Sequence, residues 1–545
     1  MKKFLLYTFA AFSLMGMTTG CSDFGDVNND PEHLNPENMD YKLMFTQVQT
    51  QICGSDWDVW RNGCIYAANM MQHTTSVNWS QGVFYTWSND YNAAYWDGFY
   101  KGGRAAIRNV IEVMERWKDN PAYTNEVQYC RVMKAYMFQR MTDLYGDVPY
   151  FDAGKGALGG ELYPKYDTQE AIYDDLLKEL DDVNTALKTP SSTNSISSAD
   201  LIYAGKPEKW RMFANSLMLR VATRLSKVDA TKAATWAKKA VSNGLFASAE
   251  DEAVLKHSDG STSNDSAEPY GKIFSESDPQ AFYMSKYFID ELKSTNDPRL
   301  RMIATKCEKP KTQWSAGNGF DLGDNTKELI GMPVGYETGD GAWSIKKAPD
   351  YPGDALWESY YALPNRKTYA RPDVPTMLVT YAENQLLLAD AAARGLIDGG
   401  LLAAKNYFET GVRAAMKQFS YYSAASADYN NYLSSSNVDT YVANRLTAFG
   451  TDVNSALKEI NWQYYVNTFC DEYETFANWR RTGYPELKSV YATRPSGYPN
   501  SVATDIPRRF TYPTAESQDN TANYNDAVKR LTGGDKMTSR VWWDK

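Results

Sequence analysis

The stretch "QHTTSVNWSQGVFYTWSNDYNAAYW", residues 72–96, sets Trp79, Phe84, Tyr85, Trp87, Tyr91, Tyr95 and Trp96 among Ser, Thr, Asn, Gln and Gly. An indole or phenol face held open in a turn-rich segment packs against the axial C–H groups of a pyranose, while neighbouring amides and carboxylates bond its hydroxyls. A second stretch, "GYETGDGAWSIKKAPDYPGDALWESYY" from Gly335, has the same character. Together they predict a ligand site with one wall in residues 73–92 and the other in residues 312–361. Trp79, Trp87, Trp314, Tyr336 and Trp343 would stack on a sugar, and Asn78, Asn89, Asp90 and Asp340 would bond its hydroxyls. With 39 Tyr, 21 Phe and 15 Trp, most rings of the chain must be core, so only those on turn-rich segments are singled out. Trp96 is read as core, because "YWDGFY" enters a helical pattern with Ile107, Val110, Ile111 and Met114.

Other chemistry is poorly supplied. The three histidines are His33, His73 and His257, so a Ser-His-Asp or Cys-His mechanism would have to draw on His73 or His257, and neither lies in a recognisable motif. There is no HExxH, Walker A, GxSxG, or GxGxxG after a strand. A glycosidase needs only two carboxylates about 5–9.5 Å apart, which 67 acidic residues leave open. Asp471, Glu472 and Glu474 form one candidate cluster, whose ordinary role would be solvation or pairing with Arg480 and Arg481. No cofactor is expected and no metal ligands are assigned, although a structural calcium ion could sit among the Asp-rich loops. A net charge of −10 argues against nucleic acid as a partner.

At the start of the chain Lys2 and Lys3 precede the apolar run Phe4 to Met17, too short to span a bilayer, so residues 1–20 read as a signal peptide. It runs into Cys21 through Thr18-Thr19-Gly20, a lipobox-like end that makes Cys21 the acylated residue, although Thr18 stands where Leu is usual. Residues 21–38, rich in Asp, Asn and Pro, read as the tether, and 39–545 as a single domain. The remaining cysteines, Cys53, Cys64, Cys130, Cys307 and Cys470, match no metal framework and read as buried thiols, with a Cys53–Cys64 disulfide as the alternative.

Helical periodicity governs two blocks, about 95–245 and 374–482. In "DTQEAIYDDLLKELDDVNTALK" Asp167 and Glu170 suit the N-cap and N3 of a capping box, and Ile172, Leu176, Leu180, Val183 and Leu187 share a face. "PEKWRMFANSLMLRVATRLSK" repeats the spacing through Trp210, Phe213, Leu217, Val221 and Leu225 behind Pro207, and "TKAATWAKKAVSNG" follows. "VPTMLVTYAENQLLLADAAARG" and "LLAAKNYFETGVRAAMKQF" form another pair with Ala on the contact faces, so the expected fold is mostly α, a tetratricopeptide-like helix-pair scaffold. Loop-rich segments, about 72–92 and 256–373, would form its ligand face.

Several stretches carry a family resemblance. "DLYGDVPYFDAGKG" from Asp143, "TFANWRRTGYPEL" from Thr475 and "IPRRFTYPTAESQDNTANYNDAVKRLTGGDKMTSRVWWDK" from Ile506 resemble the SusD and RagB family of Bacteroidetes outer-membrane lipoproteins. The resemblance implies a surface-exposed, lipid-anchored binder of nutrients, usually oligosaccharides, that acts without catalysis as the lid of a TonB-dependent SusC-like transporter. It implies that Tyr145, Gly146, Pro149, Arg480, Arg481, Trp542 and Trp543 are scaffold or transporter-facing residues. Three alternatives stay open: a peptide binder of the RagB type, a surface glycoside hydrolase and a purely structural envelope protein.

Overall fold

The computed structural model describes residues 39–545 except 103, 193–195, 261–265, 307–327, 355–356, 493–497 and 499. Cys21, the signal and tether segments, Cys307 and the candidate Trp314 lie outside the described residues. The chain divides into two compact units, Met1–Leu43 and Met44–Lys545, and nearly all of the described residues belong to the second.

The second unit is mostly helical. Its scaffold comprises α1 (Ala106–Trp117), α2 (Thr124–Tyr145), α3 (Gln169–Ala186), α4 (Pro207–Arg224), α5 (Ala230–Asn243), α6 (Tyr381–Ala393), α7 (Gly400–Lys417), α8 (Val453–Asn467) and α9 (Glu472–Thr482). Consecutive helices from α1 to α5 pack pairwise, α6 packs on α4, α7 and α8, and α9 packs on α2. The apolar stripes fall as their spacing dictates: Ile172, Leu176, Leu180 and Val183 on α3 and Trp210, Phe213, Leu217 and Val221 on α4 are all buried. Pro207 opens α4 at its first turn, and Gly244 and Gly395 lie at positive φ just past α5 and α6. Helix α2 is buried on almost every side, as a helix at the centre of the stack must be.

Two element boundaries differ from the sequence pattern. Thr168, not Asp167, caps α3, accepting from the Ala171 amide at 3.3 Å. Asp167 is turned away to accept from the Tyr150 and Phe151 amides at 3.1 and 2.9 Å, so the capping box is not made. The start of "TMLVTYAENQ" is extended rather than helical: Thr376–Val379 pairs antiparallel with Ala253–Leu255, and Thr380 then caps α6 through the Glu383 amide. The loop-rich insert is also less irregular than its composition suggests. It holds a nine-residue helix, Lys286–Ser294, capped by Ser285 and burying Phe288, Ile289 and Leu292.

Buried ion pairs join the helices from inside. Arg220 of α4 grips Glu383 of α6 with two bonds of 2.5 and 2.6 Å, Arg224 bonds Glu474 of α9 at 2.6 Å, and Arg481 of α9 bonds Asp390 of α6 at 2.7 Å. Asp143 of α2 accepts from the Trp543 indole at 2.9 Å, which seats the C-terminus on the scaffold. Glu474 therefore pairs with Arg224 rather than with Arg480 or Arg481, Asp471 with Arg140 at 2.7 Å, and Glu472 with His73 at 2.9 Å. None of the three acidic residues is a solvated face. Tyr145, Arg480, Arg481 and Trp543 are fully buried, which places them in the scaffold, while Trp542 is half-buried. Cys53, Cys64, Cys130 and Cys470 are free thiols, so the Cys53–Cys64 disulfide is not formed.

Candidate ligand-binding site

The segment before the first aromatic stretch builds the site. Ser55 and Asp58 form a reciprocal capping box around a short helix, Asp56–Asp58, which continues as a ten-residue π-helix, Val59–Ala68. Gly98 lets the neighbouring helix approach the Asp58 carboxylate, where a Cβ would collide. Side chains of the π-helix then shape the loop above it. Asn62 donates to the Tyr91 and Asn92 carbonyls at 2.7 and 3.2 Å and accepts from the Tyr95 amide. Tyr66 donates to the Thr86 carbonyl at 2.7 Å and accepts from the Ser88 amide at 2.9 Å. Gly82 sits directly over the π-helix backbone, where any Cβ would run into the Ile65 carbonyl oxygen.

This scaffold holds four rings together. Trp57 stacks on Trp60 with centroids 5.3 Å apart and planes 14° apart, Trp79 meets Trp60 edge to face at 4.8 Å, and Tyr91 meets Trp60 at 5.8 Å. Trp57 is 55% exposed, with the Arg61 guanidinium 4.1 Å from its ring centre. Trp60, Trp79 and Tyr91 are half-buried against an apolar base that includes Val59, Ile65, Ile273 and Phe282. One carboxylate oxygen fixes two of the rings: Asp278 Oδ2 accepts from Trp79 Nε1 at 2.5 Å and from Trp60 Nε1 at 3.0 Å. Arg366 in turn bonds the Phe274 and Pro279 carbonyls on either side of Asp278. The outcome is an aromatic platform in which the Trp60 and Trp79 rings are oriented before any ligand arrives.

Of the described residues singled out from sequence, Trp79 belongs to this platform, whereas Trp87, Tyr336 and Trp343 pack in other surroundings. Trp343 is half-buried in a separate cluster, edge-on to Phe84 at 5.2 Å and to Tyr498 at 5.8 Å, with Phe84 and Tyr498 stacked at 3.9 Å. Tyr336 packs on a neighbouring apolar group with Val77, Tyr283 and Tyr361. Asp340 is exposed and paired with Lys346 at 3.0 Å. Asn78 and Asp90 are exposed, whereas Asn89 accepts from the amide and hydroxyl of Thr514 at 2.9 and 2.8 Å. Trp87 is 45% exposed over a different groove, and Trp96 is buried, as its helical pattern predicts.

The two loop-rich segments do meet. Strand Thr74–Thr75 pairs antiparallel with Tyr283–Met284, Thr338 donates to the Val77 carbonyl at 3.1 Å, and Phe84 touches Trp343. Sequence reasoning passes over Trp57, Trp60 and Asp278. The signal available for the first two is their i, i+3 spacing in "SDWDVWRNG", two indoles on one helical face among charged neighbours.

The two described histidines, His73 and His257, are both held by the scaffold. His73 is fully buried, its Nδ1 lies 2.9 Å from the Glu472 carboxylate and its Nε2 lies 3.1 Å from the Tyr465 carbonyl, so both ring nitrogens face protein acceptors rather than a cleft. His257 lies beside Thr376, and burial pushes its pKa down to about 4. Among the described residues no group of three or more His, Cys, Asp or Glu side chains is placed to hold a metal ion, and no helix is long and apolar enough to cross a membrane.

Residues 33–513 match the SusD-like family model described as "Starch-binding associating with outer membrane". No curated protein matches the sequence. Among solved structures, a chitin-binding protein is 29% identical over 93% of this chain and 100% of its own, with a TM-score of 0.76. A protein titled Bacteroidetes AC2a SusD-like is 26% identical with the same coverage and a TM-score of 0.77, and a SusD homolog from Bacteroides fragilis NCTC 9343 is 27% identical over 93% of this chain and 99% of its own, with a TM-score of 0.67. With a family model spanning most of its length and this helix-pair scaffold beneath its aromatic loops, the chain belongs to the SusD-like family.

Proposed function

We propose that this protein captures oligosaccharides at the cell surface on the platform of Trp57, Trp60, Trp79 and Tyr91. The observation that carries the reading is the double anchoring of the Trp60 and Trp79 indoles on Asp278, which fixes the platform's geometry while its outermost ring, Trp57, stays largely exposed. A sugar face gains most from rings that need no reordering on binding. The family description as starch-binding and the naming of a similar structure as a chitin-binding protein support a glycan as the ligand class.

In this reading the body is tethered to the outer membrane through lipid on Cys21, binds without catalysis, and passes its ligand to a TonB-dependent SusC-like transporter for which it is the lid. The family's association with the outer membrane supports the location. Titrating starch and chitin oligosaccharides into the wild type and into Trp57→Ala and Trp79→Ala variants tests the ligand claim. Saturable binding that both variants weaken, with no cleavage product over long incubation, is the expected result. Cleavage of the glycan, or variants that bind like wild type, would overturn it. Co-purification of the native protein with a transporter of the outer membrane tests the partner.

A further inference from the structure

Trp87 stands apart from the platform. Among the described residues none of its ring contacts is with Trp57, Trp60 or Trp79, and its indole N–H is donated instead to Thr511 Oγ1 at 3.0 Å. It forms one wall of a groove of about 590 Å³, whose other sides include Val502, Pro513, Tyr524, Asp535 and Lys536. That volume falls within the range of about 300–1,000 Å³ typical of small-molecule sites.

The groove is built rigidly. Asn92 and the 511 backbone exchange two hydrogen bonds, the Thr511 amide donating to Asn92 Oδ1 at 2.8 Å and the Asn92 side-chain amide donating to the Thr511 carbonyl. Asn89 accepts from both donors of Thr514. Thus the segment carrying Trp87 is latched to the opposite wall at three positions, and the indole is held in one orientation although 45% of it faces solvent. An apolar ring of this size gains by burial, so a ligand that covers the fixed face of Trp87 is stabilised without reordering the ring.

The polar groups are those a sugar uses. Asp535 is oriented by the fully buried Arg509 and by the Tyr512 amide, both on Oδ1, and among the described residues its Oδ2 accepts only from Tyr524 at 3.2 Å, which leaves acceptor capacity for a hydroxyl. Lys536 is exposed and forms no ion pair among the described residues, so its three N–H donors are available. One flat aromatic face, one acceptor and one donor side by side suit an uncharged polyhydroxyl ring better than a hydrophobic helix, which would strand both charges.

We propose that the Trp87 groove is a second saccharide-binding site, independent of the platform and resting on the same reading of the ligand class. The protein then holds a glycan at two places, the platform and the C-terminal groove. Calorimetry with maltotriose and with the corresponding chitin trisaccharide tests it, because these probes are short enough to occupy each place separately. The wild type is expected to bind two trisaccharides. The double variant Trp57→Ala/Trp79→Ala and the single variant Trp87→Ala should each bind one, and Asp535→Asn should weaken the groove site about tenfold. Trp87→Phe, which keeps a flat ring, checks any loss of folding in Trp87→Ala and should still bind two. A wild type that binds one trisaccharide, lost in the double variant and untouched in Trp87→Ala, would overturn the groove while sparing the platform. Loss of transporter co-purification in Trp87→Ala with one-sugar stoichiometry in the wild type would also overturn it, making the groove a protein-docking face. A wild type that binds neither probe would overturn both readings.

Discussion

Trp79 and Asp278 are 199 residues apart in sequence and joined by a 2.5 Å hydrogen bond from the indole to the carboxylate. Since the same oxygen holds Trp60, one side chain sets two rings of the platform. Replacing Asp278 by Ala frees both indoles, and glycan affinity is expected to fall about tenfold, or ~1.4 kcal/mol. Asp278→Asn keeps a neutral acceptor and should recover part of that loss. The indole N–H resonances of Trp60 and Trp79 should move in both variants. Unmoved resonances, or full affinity in Asp278→Ala, would show that Asp278 does not position the platform.

How far this was legible in the sequence divides by the range of the interaction. The stripe Trp210, Phe213, Leu217 and Val221 declares α4 because a helix buries every third or fourth residue whatever lies opposite. "TMLV" before Thr380 does not declare a strand, because a short apolar run suits either state and only its pairing with Ala253–Leu255 decides. Asp167 is a good cap by type, yet the Tyr150 and Phe151 amides compete for its carboxylate and Thr168 takes the position. In the candidate platform, Trp79 is legible as a ring among turn-formers. Trp57 and Trp60 hide in a helical segment where indoles usually mean core, and Asp278 acquires its role only when the insert folds back.

The buried pair Arg220–Glu383 joins α4 to α6 and makes a sharp stability prediction. Arg220→Met removes both bonds and leaves Glu383 with the Tyr464 hydroxyl at 3.2 Å as its remaining side-chain donor. The expected cost is about 3–5 kcal/mol, read as a lower urea midpoint, because the carboxylate stays buried without its cation. Adding Glu383→Leu to that variant should restore much of the loss. A single variant as stable as wild type would show that the pair contributes nothing to holding the helices.

Glu268 gives the protein a pH dependence of definite sign. Burial pushes its carboxyl up from 4.5 to about 7, against hydrogen bonds from the Gly271 and Tyr270 amides and from Thr376. The folded state thus holds a proton that the unfolded chain releases above its lower value, so this contribution is present at acid pH and is lost as pH rises through about 7. Glu268→Gln removes the titration while keeping an acceptor. Its stability relative to wild type should rise by up to ~3 kcal/mol between pH 5 and pH 8. A difference that is flat or falls with pH would contradict this assignment.

Trp343 provides the contrast that tests the proposed site. Its ring is committed to Phe84, Tyr491 and Tyr498, so Trp343→Ala should lower the urea midpoint through lost aromatic packing, at about 3–5 kcal/mol, with glycan affinity changing less than in Trp79→Ala. Greater loss of affinity in Trp343→Ala, in a protein of unchanged stability, would shift the site to the second cluster.

The most direct test is calorimetric titration of starch and chitin oligosaccharides into the wild type and into Trp57→Ala/Trp79→Ala, with unfolding followed in parallel. The platform requires that at least one of these glycans bind the wild type saturably and that the double variant, still folded by its cooperative unfolding transition, lose at least tenfold in affinity at that site. A double variant that stays folded and titrates like wild type would contradict it.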